Sequence, residues 1–261
     1  MSTIRIERHD FEAGASLAVL RLDKGRGNAI DETLVDELIE ACARIEADSS
    51  VRGVLIASAH PKLFCPGLDL VSLWDYDRPA MERFMLKFAR AVWALYGLRK
   101  PLVAALGGHA VAGGCVLALT ADRRMLRRGG VNIGLNEIRV GVPLPWSVAV
   151  LLRASLRPER VLEAALLGRN YADEEALAAG LVHELAPTEG FEAVCLARLR
   201  ELAEKDPAAF ATTKGYLRAE ALASMKAREE ELIGDFVNEW FSGGTRARIR
   251  ATIDSLGKPK S

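Results

Sequence analysis

The stretch from Gly107 to Thr120, GGHAVAGGCVLALT, sets two glycine pairs around a short apolar insert and runs on into an unbroken apolar segment, with no charged residue anywhere in it. It follows KPLVAALGG, an apolar run that ends at the first glycine pair and reads as a buried strand. Glycine allows tight turns and close approach of one backbone to another. The pairs therefore serve either packing alone or a site built from backbone N–H groups. In the second case the acid or base must come from elsewhere in the chain.

The surrounding sequence alternates between the two kinds of periodicity. IRIERHD and SLAVLRLD, separated by a glycine turn, read as a hairpin. KGRGNAI is a loop, and Asp31 is placed to cap a helix over ETLVDELIEACARIEAD. VRGVLIAS reads as a buried strand, AHPKLFCPGLDL as a loop, and the segment from about Pro79 to Arg99 as an amphipathic helix. DRRMLRR and VNIGLNE read as strands. From Pro145 onward the pattern is mostly helical, with a brief LVHEL between helices, and charged, alanine-rich helix reaches Ile253. Strands alternating with helices and followed by a helical tail imply an α/β core, over residues 1–188, with a C-terminal helical region over residues 189–261. No internal sequence repeat is evident.

Composition narrows the function. The 261 residues, 50% hydrophobic and 27% charged, suit one large domain or a domain with a small appendage. The formal net charge of zero offers no broad basic face for nucleic acid. Cys42, Cys65, Cys115 and Cys195 are far apart, show no metal-ligand spacing, and read as free buried thiols in a reducing compartment. The charged N-terminus has no apolar signal segment and no apolar run is long enough to span a bilayer. A cytoplasmic protein without a membrane partner is the expectation.

LFCPGLDL, AGGCVLALTADRRML, IGLNEIRVGVP and ALLGRNYADEEALAAGLVHEL, in this order and spacing, resemble the crotonase family of enoyl-CoA hydratases and isomerases. The resemblance covers nearly the whole chain. It implies a spiral of ββα units capped by C-terminal helices that serve trimerisation and pocket closure, assembled as a homotrimer or hexamer. It also implies an acyl-CoA substrate and no metal, flavin or nicotinamide, coenzyme A entering only as part of the substrate.

The chemistry the resemblance implies is stabilisation of a thioester enolate by two backbone N–H groups, those of Leu68 and Gly113. The second would lie at the start of a helix, whose positive end faces the oxygen. Pro66, Gly67, Asp69, Leu70, Gly114 and Asn136 would flank the substrate, although Asp69 could equally cap the next helix. Gly107, Gly108 and His109 read as structural. Ala29 would lie against pantetheine, and Lys24 or Arg26 could meet the CoA phosphates or simply form a solvated basic loop. Leu73, Trp74 and part of Met81–Phe88 could line the acyl pocket or belong to ordinary core.

The carboxylates separate the possible reactions. Hydratases of the family use two glutamates, and the positions that match them are Val116 and Glu137. Valine cannot hold a water or move a proton, whereas one base suffices to shift a double bond. The branch most resembled is the mitochondrial-type Δ3,Δ2-enoyl-CoA isomerase. The small and apolar neighbours of Glu137 imply burial, which would raise its pKa. On a strand Arg139 would share its side and oppose that shift. The competing readings are a hydratase, another crotonase-type lyase or hydrolase, and a non-enzymatic RNA-binding or scaffold protein of the same fold.

Overall fold

The computed structural model describes residues 2–12, 14–25 and 27–256. The elements begin with the hairpin β1 (Ile4–Glu12) and β2 (Ala15–Leu22), followed by α1 (Glu32–Ala47) and β3 (Val51–Ser58). Next come β4 (Leu63–Cys65), α2 (Leu70–Leu73), α3 (Arg78–Gly97), β5 (Leu102–Leu106), β6 (His109–Val111) and α4 (Gly113–Leu119). After β7 (Arg123–Arg127) and β8 (Asn132–Gly134) a 3-10 turn covers Glu137–Val140. The remainder is α5 (Trp146–Ser155), α6 (Pro158–Leu166), β9 (Tyr171–Ala172), α7 (Asp173–Ala178), β10 (Glu184–Ala186), α8 (Phe191–Ala203), α9 (Pro207–Trp240) and α10 (Gly243–Leu256).

Two sheets organise the molecule. The larger runs β1-β2-β3-β5-β7-β10, antiparallel only at the β1–β2 hairpin. The smaller runs β4-β6-β8-β9, with β4, β6 and β8 parallel. Three times the chain crosses from a strand of the larger sheet to one of the smaller and then turns helical: β3 to β4 to α2, β5 to β6 to α4, β7 to β8 to the 3-10 turn. This is the expected spiral of ββα units, and it forms without a repeat in the sequence.

The larger sheet is covered on both faces, which is why β3 and β5 read as continuous apolar runs. On one face Leu17, Val19, Leu55, Val103 and Met125 pack against Cys195, Leu199 and Ala203 of α8. The alternate residues of the same strands, such as Leu20, Val54 and Leu102, point into the main core with α1 and α3. Gly53 lets α8 come close: a β-carbon there would lie 2.8 Å from Leu199 Cδ1. Asp31, Asp77 and Asp206 accept from the N–H two or three residues into α1, α3 and α9 and define where those helices start. α9 is tied to the start of β7 through Asp122, which accepts from Lys214 Nζ and Arg218, each at 2.7 Å. Among the described residues no helix is long and apolar enough to cross a membrane.

Three expectations need correction. AHPKLFCPGLDL is not all loop, because Leu63–Cys65 pairs with β6. VNIGLNE is strand only over Asn132–Gly134. The helical tail is three helices, interrupted after Ala203 and again at Phe241 and Ser242.

Candidate active site

The C-terminal ends of the three parallel strands in the smaller sheet point at one cavity of about 490 Å³. Beyond β4 come Pro66 and Leu68, beyond β6 come Ala112 and Gly113, and beyond β8 come Asn136 and Glu137; all six line the cavity. Backbone pairing within a short sheet thus gathers groups that are up to 71 positions apart, from Pro66 to Glu137.

The N–H groups of Leu68 and Gly113 donate to no acceptor among the described residues. Their neighbours explain how they are presented. Ile30 N–H donates to Gly67 O and Asp69 N–H donates to Ile30 O, each at 2.8 Å, so the intervening Leu68 N–H faces the other way. Ala112 holds a φ of +49°, a region that side chains disfavour, and Ala112 N–H donates to Gly134 O at 2.8 Å. That strained turn leads directly into Gly113, which lines the cavity. α4 spans only seven residues, so its first N–H groups, more than a long helix dipole, supply the positive end.

Glu137 opens the 3-10 turn, which ends at Gly141 in the left-handed region with φ +83°. The turn corrects the strand expectation, and with it the argument that Arg139 shares a side with Glu137. The residue is half-buried as a whole, but its carboxylate Oε2 is fully buried with no hydrogen-bond partner among the described residues. Burial pushes the carboxyl up from 4.5 to about 7, against a smaller opposing effect of its own and Asn136's backbone N–H groups. Arg139 plays no part in that shift. Thr245 Oγ1 of α10 donates to Gly141 O at 3.0 Å and holds the turn from outside.

Val116, 1% exposed, lines the same cavity, and among the described residues Glu137 is the only carboxylate residue that does. The walls are apolar: Leu70 from α2, Met85 and Phe88 from α3, Val148 from α5, Phe236 and Trp240 from α9. Arg248, Ala251 and Thr252 of α10 complete the lining. The contributions of α9 and α10 were not anticipated, because the only local signal is an amphipathic pattern that any packed helix shares.

Other expected positions fall outside the lining. Gly67 and Gly114 shape it from behind. A β-carbon at Gly67, whose φ is +97°, would lie 3.0 Å from Gly113 N. One at Gly114 would overlap the Cys65 carbonyl, so that glycine serves the contact of α4 with β4. Asp69 caps α2 by accepting from Ser72 N–H at 3.2 Å. Lys24 is turned inward: it donates to Ala29 O at 2.7 Å and pairs with Asp31 at 2.8 Å and Asp69 at 3.3 Å, so it is a brace rather than a free phosphate ligand. Ala29 is half-buried in that braced loop. Arg26 lies outside the described residues. Leu73 is core and Trp74 lies under the Arg246 guanidinium, 3.4 Å from its ring centre. His109 is structural as expected, with Nδ1 accepting from Asn132 N–H at 2.9 Å.

Asn28 is a residue whose importance the sequence did not signal. It is buried with φ +65°, and its amide donates to Ser58 Oγ and Phe64 O while its Oδ1 accepts from Lys24 N–H. It ties Lys24 to β3 and β4. Among the described residues no group of His, Cys, Asp or Glu is arranged to hold a metal ion.

The family model for enoyl-CoA hydratase/isomerase matches residues 12–242. The human mitochondrial enoyl-CoA delta isomerase 1 is 29% identical over 251 residues, covering 95% of this chain and 83% of that protein. A putative enoyl-CoA hydratase of Thermus thermophilus is 30% identical over 248 residues, covering 93% of this chain and 96% of that one. The crystal structure of human mitochondrial delta3-delta2-enoyl-CoA isomerase superposes with a TM-score of 0.93 at 25% identity, over 99% of this chain and 100% of that one.

Proposed function

Since this chain belongs to the enoyl-CoA hydratase/isomerase family, we propose that it is a Δ3,Δ2-enoyl-CoA isomerase with Glu137 as its single acid and base. The observation that carries the choice is the cavity lining: one carboxylate, and a valine at 116 where a second would be needed to activate water.

The acyl-CoA enters with its thioester oxygen against the Leu68 and Gly113 N–H groups. The unpartnered Glu137 Oε2 takes a proton from carbon 2 of the 3-enoyl group. The electron pair released forms a dienolate, whose negative oxygen is held by the two N–H donors; one such donor is worth about 10²–10³ in rate. The same carboxyl returns the proton to carbon 4, the double bond settles between carbons 2 and 3, and the enzyme is unchanged. A base that titrates near 7 can both take and return that proton at neutral pH.

The test is purified protein with 3-hexenoyl-CoA, followed for 2-hexenoyl-CoA, beside crotonyl-CoA followed for the hydroxyacyl product. Isomerisation lost in Glu137→Gln and little hydration are expected. Hydration faster than isomerisation, or an active Glu137→Gln enzyme, sinks the reading.

A further inference from the structure

Two arginines, Arg139 and Arg248, line the cavity on the side of the Glu137 turn. Neither pairs with a carboxylate among the described residues, and the one hydrogen bond of either side chain is Arg248 to Thr245 Oγ1 at 3.4 Å. The arginines beside Arg248 in sequence and beside Gly168, on which Arg139 lies, are engaged otherwise: Arg250 pairs with Asp254, Arg246 stacks on Trp74, and Arg169 pairs with Glu175. The two unpaired guanidiniums are nevertheless seated. The Arg248 guanidinium lies against Gly141, where a β-carbon would come within 2.9 Å of its Cζ. The Arg139 stem lies on Gly168, where a β-carbon would be 3.1 Å from Cγ. Both glycines have positive φ, +83° and +59°, so each seat is made by a backbone that disfavours a side chain.

We propose that Arg139 and Arg248 form a subsite for a carboxylate at the far end of the acyl group, which makes the preferred substrate class the monothioesters of dicarboxylic acids. The inference rests on the reading that the acyl end lies beside Glu137. Position favours an acyl carboxylate over a phosphate of CoA. Arg139 is two residues beyond Glu137, about 4 Å along a 3-10 axis, and Arg248 lies over the end of the same turn. The CoA phosphates are separated from the thioester by the whole pantetheine arm. Among the described residues neither guanidinium pairs with the Glu137 carboxylate, whose Oε2 has no hydrogen-bond partner. Guanidiniums offer a carboxylate paired, charge-assisted hydrogen bonds.

Binding of unreactive saturated ligands tests the subsite. The affinities of adipyl-CoA and hexanoyl-CoA, and of the corresponding pantetheine thioesters that lack the phosphates, are measured by calorimetry. The wild-type protein should bind adipyl-CoA at least as tightly as hexanoyl-CoA. Arg139→Met, which keeps the stem on Gly168, and Arg248→Met should each raise the adipyl-to-hexanoyl Kd ratio about tenfold, roughly 1.4 kcal/mol. The same ratio should change with the pantetheine thioesters. Hexanoyl-CoA binding reports whether each variant keeps a folded cavity.

A wild-type preference for hexanoyl-CoA of about tenfold or more overturns the proposal. So does an equal loss of both CoA ligands with no change for the pantetheine thioesters, which would assign the arginines to the phosphates. Turnover of 3-hexenoyl-CoA is read separately: normal turnover without adipyl selectivity removes the subsite alone, and selectivity without turnover removes the isomerase reading alone.

Discussion

Gly67 stands directly against the Gly113 amide: a β-carbon on Gly67 would sit 3.0 Å from Gly113 N and 2.8 Å from Ala112 Cβ. One donor loop is thus packed on the other, and their separation is set by the absence of a side chain. Gly67→Ala should push the two N–H groups apart and lower kcat by about 10²-fold or more. Because φ there is +97°, it should also cost about 1–3 kcal/mol of stability. Steady-state kinetics and a denaturant titration check both; an alanine variant with full kcat removes this geometry from the mechanism.

The pH profile should follow Glu137. Its base form is needed, so kcat/KM should rise with pH and reach half its plateau near pH 7. The sign for stability is opposite. The folded-state pKa lies above the ordinary 4.5, so the neutral carboxyl's contribution is complete below about pH 4.5 and is lost as pH rises through about 7. Glu137→Gln should therefore stabilise the protein at pH 8 by up to about 3 kcal/mol and have little effect at pH 4. Thermal melts of both proteins at the two pH values decide it.

Thr245→Val keeps the shape of a side chain with no exposed surface but removes the donor to Gly141 O. The expected loss is about 1–2 kcal/mol of stability, with kcat reduced more than KM is changed, because the turn that aims Glu137 is loosened. Thr245→Ser should recover most of the kcat. Equal kcat in all three proteins would show that α10 does not position the base.

Val116→Glu places a second carboxyl in the cavity. Two carboxyls so placed oppose each other's ionisation, so the half-point of the isomerase pH profile should move upward. Hydration of crotonyl-CoA should become measurable above the wild-type rate. A variant that folds, keeps its pH profile and hydrates nothing would mean that position 116 does not face the reacting carbons.

Leu162, Leu166 and Leu167 on and just after α6 are 68%, 59% and 59% exposed, a cluster of leucines that a solitary chain would leave in water. We expect them to be covered by a second copy in a trimer or hexamer. Light scattering on the intact protein should give a multiple of 28.4 kDa, and Leu162→Asp with Leu166→Asp should shift it towards one chain.

Much of the fold was legible because strands such as Val51–Ser58 and caps such as Asp31 advertise themselves over a few residues. β4, β6 and β9 were not, since two or three residues give no periodicity to read; they exist only because neighbouring strands offer them partners. The same limit misplaced Glu137 on a strand: Gly141 in the left-handed region, four residues later, ends a turn instead. Lys24 reads as a basic loop residue until Asp31 and Asp69, 45 positions away, are folded around it. Trp240 and Arg248 reach the cavity from α9 and α10, whose sequences say only that one face of each is buried.

In the proposed mechanism the three working groups lie beyond the ends of the three parallel strands of the smaller sheet, and two of them are the peptide N–H groups of Leu68 and Gly113. Of the twenty residues only proline lacks the peptide donor, so every other substitution at 68 or 113 alters its surroundings and aim while its identity persists. Variation is then free to act on what surrounds the donors, at positions such as 116, 139 and 248. One chassis can in this way be refitted from one acyl-CoA reaction to another without rebuilding the device that makes each of them possible.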